Sequence, residues 1–85
     1  MKTREVRLVE WIDSSGSSGW QPIEDAAKIE PDPCMSVGFV IHETDDHLTL
    51  LQSVTNRKSG KDHADHVLAI PKCSITRTVV LRKAR

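Results

Sequence analysis

Residues 37–51 constrain the fold of this chain most strongly, because two apolar runs flank a short polar turn. The turn is Thr44-Asp45-Asp46, and apolar residues dominate the segments 35–43 and 47–54 on either side. Such an arrangement predicts a β-hairpin. Within the first segment, Gly38 predicts a bulge or a point of tight curvature, since an interior glycine otherwise only weakens a strand.

Three further strands are predicted, at residues 5–13, 66–70 and 75–81, with the last two joined at a corner that Pro71 marks. Together with the hairpin they predict a mainly β fold. We expect a small, five-stranded, strongly curved antiparallel barrel, with one short helix after the first strand.

The first strand is apolar on both faces. Val6, Leu8 and Ile12 alternate with Val9 and Trp11 along residues 5–13. A two-sided pattern suits a strand that lines a core on one face and contacts a helix or a subunit neighbour on the other.

The connecting segments have distinct compositions. Residues 13–21, rich in serine and glycine, predict a flexible loop. Residues 22–29 predict the short helix, which begins at a proline and carries acids in its first turn. We expect the apolar stripe of this helix to lie against the barrel. Residues 55–65 predict a mobile polar loop, and residues 82–85 a basic tail that frays.

A single domain of 85 residues buries about 60–65% of its unfolded surface. Such a chain has room for one small core and little for an enclosed active site. Association between copies would add burial, so a homo-oligomer is expected. We predict no enzymatic activity and no cofactor, because no catalytic signature accompanies the strands.

The net charge is zero, but the charges are sorted along the chain. Residues 10–46 hold nine acids and one base, and the remainder holds eleven bases and three acids. One interpretation is two solvated faces with no partner. The other is a basic pole that meets either nucleic acid or the acidic pole of a neighbouring copy.

Nucleic-acid binding would use basic residues outside the acidic segment. The candidates are Arg4, Arg7, Arg57, Lys58, Lys61, Arg77, Arg82 and Lys83.

Trp11 and Trp20 are two of the three aromatic residues, and they lie on either side of the 13–21 loop. Both could fill the core against the short helix, because aromatic side chains dominate small cores. The functional alternative is a stacking platform for a nucleobase, with neighbouring polar groups that bind the same ligand. The candidate ligand-binding residues are Trp11, Asp13, Ser14 and Trp20.

The histidines and cysteines carry weaker signals. His63 and His66 have a spacing found in metal sites, but a structural zinc site needs four ligands, so no metal is predicted. Cys34 and Cys73 are expected to be free thiols in a reducing cytoplasm. The sequence has no signal-peptide pattern and no apolar run of membrane-spanning length, so no membrane contact is expected.

The chain resembles a group of short proteins encoded by tailed phages and prophages. The resemblance rests on four motifs in order: Trp11-x-Asp13-Ser14, Gly19-Trp20, Ser36-Val37-Gly38 and Ile70-Pro71-Lys72. The layout is also similar to Sm-like and Src-homology-type barrels, although here a strand precedes the helix.

The resemblance implies an accessory protein in the bacterial host cytoplasm. Such a protein would act by binding, either sequestering a small ligand such as a nucleotide or blocking a host protein, with a role against host defence. A nucleic-acid-binding barrel and a minor structural component of the virion are the alternatives.

Overall fold

The computed structural model describes residues 3–56 and 60–85. Its elements, in chain order, are β1 (Val6–Asp13), α1 (Ile23–Ala26), β2 (Asp32–Glu43), β3 (His47–Asn56), β4 (Asp62–Pro71), one 3₁₀ turn (Lys72–Ser74) and β5 (Ile75–Arg82). The five strands form a single antiparallel sheet in the order β4-β3-β2-β1-β5. The predicted mainly β fold of five antiparallel strands is therefore confirmed.

The sheet is open in this single chain. β4 and β5 are its two edges, and no strand pairing joins them within the described residues. The radius of gyration is 17.0 Å, whereas a compact chain of this length would have about 12 Å. The predicted closure into a barrel is not confirmed.

The hairpin between β2 and β3 forms where the sequence predicts it. The Thr44 hydroxyl oxygen accepts hydrogen bonds from the backbone N–H groups of Asp46 (3.1 Å) and His47 (3.2 Å). The Thr44 N–H in turn donates to the carbonyl oxygen of His47 at 2.9 Å. This side-chain turn satisfies backbone groups that the ladder leaves free, and it fixes the register of the two strands.

β2 is shared by two halves of the sheet, one formed with β1 and β5 and the other with β3 and β4. Gly38 lies where β2 passes from the first half to the second. Residues 32–39 of β2 pair with β1, and pairing with β3 begins only at Phe39. A Cβ atom at position 38 would lie 2.8 Å from the Leu51 carbonyl oxygen and 3.1 Å from the Leu50 Cβ. Glycine is needed there because β3 approaches the β2 backbone too closely for any side chain.

The bulge lies three residues further along β2, not at Gly38. Val40 pairs with Leu50 and His42 pairs with Thr49, which leaves Ile41 as the extra residue. A bulge bends its strand and increases the local twist. The tight approach and the bulge together turn the β3–β4 hairpin away from β1 and β5.

The core is small. Its buried cluster is Val9, Leu48, Leu50 and Ile70, and the side chains of Trp11, Val40 and Ile75 pack against it. Leu51 is also buried, but it follows Leu50 in β3 and therefore lies on the other face of the sheet. Val9 and Trp11 thus face the core together, as the alternation along β1 predicts.

The helix is shorter than predicted and does not lie against the sheet. α1 has four residues, and the bonds from the N–H groups of Lys28 and Ile29 reach back only three residues, as in a 3₁₀ turn. Ile23 is 86% exposed. A single turn of helix with one large apolar side chain buries too little to hold it in place. We call residues 14–31, which join β1 to β2 and include α1, the arm.

The predicted loop 55–65 is shorter in the structure, because both strands of the second hairpin extend into it. β3 continues to Asn56 and β4 begins at Asp62, with residues 57–59 outside the described part of the chain. The Asn56 amide donates to an Asp62 carboxylate oxygen at 2.8 Å. Backbone pairing in a ladder does not require apolar side chains, which is why composition alone missed these strand ends.

One position interrupts the β3–β4 ladder. The pairs Leu51–Val67 and Ser53–Asp65 lie on either side of His66. His66 has a φ of 56°, in the left-handed region that residues other than glycine seldom adopt.

Replacing Gly38 tests whether the close approach of β3 holds the two halves together. Gly38→Ala is expected to lower the free energy of unfolding by about 1–3 kcal/mol, since the added methyl group meets backbone atoms that must shift. Gly16→Ala is the matched control, because a Cβ at Gly16 meets nothing within 4 Å. Urea unfolding of both variants at one fixed protein concentration makes the comparison. Equal midpoints for wild type and Gly38→Ala would contradict the proposed constraint.

Candidate functional site

The face of the sheet opposite the core is apolar as well. The register of β1 with β2 and β5 places the Val6–Phe39, Leu8–Val37 and Leu8–Val79 pairs on one side. We define the outer apolar face by the aliphatic and aromatic residues on that side of the three strands: Val6, Leu8, Ile12, Met35, Val37, Phe39 and Val79. Met35 is 66% exposed and Val37 is 48% exposed. The second apolar face that the β1 sequence predicts is therefore present and solvent-facing in this chain.

Charges on the outer apolar face are paired or lie at its end. Glu10 and Arg77 are cross-strand neighbours in β1 and β5, with a carboxylate-to-guanidinium distance of 3.6 Å. Arg82 lies over the Phe39 ring, 5.8 Å from its centroid, where a cation and the ring attract each other. The centre of the face is thus free of unpaired charge.

A second apolar surface opens where β2 and β3 separate at Gly38. This apolar groove has a volume of about 360 Å³. Its lining comes from three strands: Met35, Ser36, Val37, Leu50, Leu51, Gln52, His66, Val67 and Leu68. The groove follows from the shared β2 strand, because the two sheet halves diverge beyond the glycine.

Trp11 lines a separate groove at the end of the β1–β2 pair. Its indole N–H donates to the Ser36 hydroxyl at 3.0 Å, which fixes the ring orientation. This Trp11 groove has a volume of about 260 Å³ and is lined by Glu10, Trp11, Ile12, Pro33, Cys34, Met35 and Thr76. Trp11 is also partly buried against the core, so the same side chain packs on the core and lines the groove.

The other predicted ligand-binding residues do not line the Trp11 groove. Asp13 and Ser14 are exposed neighbours at the end of β1, and the Ser14 N–H donates to the Asp13 carboxylate at 2.9 Å. Trp20 lies on the arm and is fully exposed. The structure therefore brings Asp13 and Ser14 together beside the groove and leaves Trp20 apart from the core.

Several residues of the predicted nucleic-acid face are held by carboxylates. Arg4 contacts Asp62 at 3.3 Å, and Arg7 bonds to both Glu5 and Glu43. Arg77 is the partner of Glu10. A guanidinium that already has a carboxylate partner offers less to a phosphate, which weakens the case for a continuous basic face.

The remaining members of that predicted set lie at the sheet edges or beyond the described chain. Lys61 and Lys83 are exposed. The Arg82 guanidinium donates to the Arg4 carbonyl oxygen at 3.1 Å. Arg57 and Lys58 fall outside the described residues.

Glu43 joins the ends of three segments. Its carboxylate accepts from Arg7 in β1 at 3.2 Å and from Lys72 in the 3₁₀ turn at 2.7 Å. These hydrogen bonds, first from Arg7 and then from Lys72, lower the pKa of the Glu43 carboxyl below its usual range. The cluster holds the corner between β4 and β5 against the β2–β3 hairpin.

The histidines and cysteines form no candidate metal centre in the described part of the chain. No group of three or more His, Cys, Asp or Glu side chains is positioned to hold a metal ion there. His66 contacts Asp65 at 3.1 Å, and His63 bonds to the Lys61 carbonyl oxygen. Cys34 and Cys73 are free thiols.

Sequence reasoning missed two of these surfaces. The apolar groove depends on where β2 leaves β3. Gly38 marks that position in the sequence, but an interior glycine by itself predicts only a bulge or tight curvature. The exposed arm was missed because the stripe of Ile23, Ala26 and Ala27 was expected to lie against the barrel, whereas Ile23 is exposed. The sequence signal for a helix too short to pack is the density of proline and aspartate in residues 22–33.

No helix among the described residues is long and apolar enough to cross a membrane. Comparison with known proteins found no matching family model, no similar curated protein and no similar solved structure. The resemblance to phage proteins and to Sm-like barrels therefore stays a prediction.

The Glu43 cluster predicts a pH-dependent contribution to stability. A carboxyl whose pKa is lowered on folding stabilises the fold above its unfolded pKa and loses that contribution as the pH falls through the folded pKa. Glu43→Gln is expected to unfold at lower urea than wild type at pH 7. The difference should shrink as the pH falls from about 5 toward about 3. Asp45→Asn makes the same chemical change at an exposed turn position and serves as the control. A deficit for Glu43→Gln that stayed constant across this range would contradict the assignment.

Proposed function

We propose that this chain is a non-enzymatic binding protein that works as a homo-oligomer and sequesters a small ligand or blocks a host protein. The bacterial host cytoplasm, the phage or prophage origin and the role against host defence belong to the same proposal and rest on the sequence resemblance alone.

The observation that supports the proposal most is the distribution of large apolar side chains. Among the described residues, five hydrophobic side chains are buried and eleven large ones are exposed. Ile12, Met35 and Val37 of the exposed set lie on the outer apolar face, and a contiguous apolar patch of this kind is typical of an interaction site. A core of this size also gives little stability by itself, which favours assembly.

The Trp11 groove is the candidate site for a small ligand. It offers one indole with a fixed orientation, apolar walls and the carboxylate of Glu10, with Asp13 and Ser14 beside it. A rigid aromatic ring at a groove is suited to stacking on a planar ligand such as a nucleobase. An assembly would give the groove a further wall, because Ile12 and Met35 belong to both the groove and the outer apolar face.

Closure of the sheet into an Sm-like or Src-homology-like barrel is part of the proposal too. Barrels require strands that bend sharply, and β2 has both a glycine at a tight approach and a bulge. Contacts in an assembly would supply the burial that the open sheet lacks.

A native mass spectrum of the protein purified from its host tests the proposal. We expect a defined oligomer, with extra nonprotein mass if the ligand is small, or with a bound host protein. Protein that has been unfolded and refolded without other components is the control, and it should keep the oligomer and lose the ligand. A bare monomer from the host would contradict the proposal.

Nucleic-acid binding is the second candidate, and one observation favours it. Within the described residues, Arg82 and Lys83 at the end of β5 have no carboxylate partner, unlike Arg4, Arg7 and Arg77. These two residues would contact phosphate if the second candidate is right.

Charge reversal at this strand end separates the two candidates. Arg82→Glu/Lys83→Glu is expected to abolish any binding to a fluorescent oligonucleotide, together with its salt dependence. Lys28→Glu, at an exposed position on the arm, is the control. Equal oligonucleotide affinity in wild type and in the double variant would exclude this strand end as the interface.

A further inference from the structure

We propose that the arm of one copy packs across the outer apolar face of a second copy, with Trp20 and Ile23 as its anchors. This inference rests on the proposed homo-oligomer and names the contact that forms it. In a two-fold symmetric pair, each copy would give one arm and one face.

The arm has apolar anchors that its own chain does not cover. Trp20 is fully exposed and Ile23 is 86% exposed. The base of the arm is fixed, because Asp13 and Asp32 are paired across β1 and β2. Exposed aromatic and aliphatic side chains on a projecting segment with a fixed base are suited to inserting into another surface, where such residues contribute most of the binding energy.

The outer apolar face and the arm together approach the area that a stable interface needs. Three strands of eight residues or so cover about 26 Å by about 15 Å, or about 400 Å². A stable interface needs about 800 Å² from each partner. The face alone is therefore too small, and an arm that buries Trp20 (about 150–250 Å² for one aromatic side chain) with Ile23 and Ile29 would supply much of the remainder.

The charges of the two surfaces are complementary. Residues 13–32, the arm with its base, hold five acids and one base, a net charge of −4. Residues 75–85, which form β5 and the tail beside the outer apolar face, hold four bases and no acid, a net charge of +4. Opposite charges around an apolar centre steer association and fix its orientation. This complementarity favours a second copy over an unrelated partner as the occupant.

Removing the anchors tests the inference on the full chain. Trp20→Ala/Ile23→Ala alters side chains that are exposed in the single chain, so the fold should be retained. By sedimentation equilibrium, its self-association is expected to weaken at least about 100-fold, as for the loss of two anchor residues. Val80→Ala removes exposed apolar surface from the side of β5 opposite Val79, outside both surfaces, and should associate as wild type does.

The face is tested by a charge at its centre. Val37→Lys should weaken self-association to a similar degree, because it places an unpaired charge where the arm would pack. Mixing Val37→Lys with Trp20→Ala/Ile23→Ala should restore part of the association. In the mixed pair, the intact arm of the first variant meets the intact face of the second. Raising the salt from about 50 mM to about 500 mM should weaken the wild-type assembly.

The outcomes distinguish this inference from the proposed function. An assembly in which Trp20→Ala/Ile23→Ala associates as tightly as wild type would overturn the arm contact and leave the homo-oligomer standing. A wild-type protein that stays monomeric at every concentration and salt would overturn both. Photo-crosslinking from position 20 in the host identifies the occupant: a crosslink to residues 35–37 of a second copy supports the inference. A crosslink to its own chain or to a different protein overturns it.

Discussion

The contact on which the rest of the structure depends is the approach of the β3 backbone to Gly38. A Cβ atom at this position would lie only 2.8 Å from the Leu51 carbonyl oxygen, so the two strands can approach this closely only if the residue is glycine. β2 can therefore pair with β1 along one half and with β3 along the other. The small core, the apolar groove and the open shape all follow from this one crossing point.

Because two halves of the sheet share β2, only some of the apolar residues of the chain are buried, and others stay exposed on the outer apolar face. Leu48, Leu50 and Ile70 are buried with Val9 at the crossing point. The β1–β2–β5 half then has no layer on its other side, because α1 is too short to cover it. Its apolar character is typical of a surface that another molecule covers, and the opposite charges of the arm and of β5 are the reason why we propose a copy of the same chain.

The strands could be predicted from sequence because their signals are local. Thr44-Asp45-Asp46 specifies a turn, and the alternation of Val9 and Trp11 with Val6 and Leu8 specifies two apolar faces. The extent of the helix could not be predicted, since it depends on whether Ile23 finds a surface to pack on. The candidate site was predicted only in part. Trp11 lies in a groove, but the place of Trp20 depends on the path of an 18-residue arm that has no periodic pattern.

The backbone of His66 has a consequence for how copies of this protein meet at high concentration. β4 is an edge strand, and an uninterrupted edge can recruit further strands into a fibre. The left-handed residue breaks the regular extended line of that edge, and the acids Asp62 and Asp65 place negative charge along it. The edge is thereby a poor template for endless strand addition. The association that we propose for this chain would therefore stay closed at the β4 edge instead of growing into a fibre there.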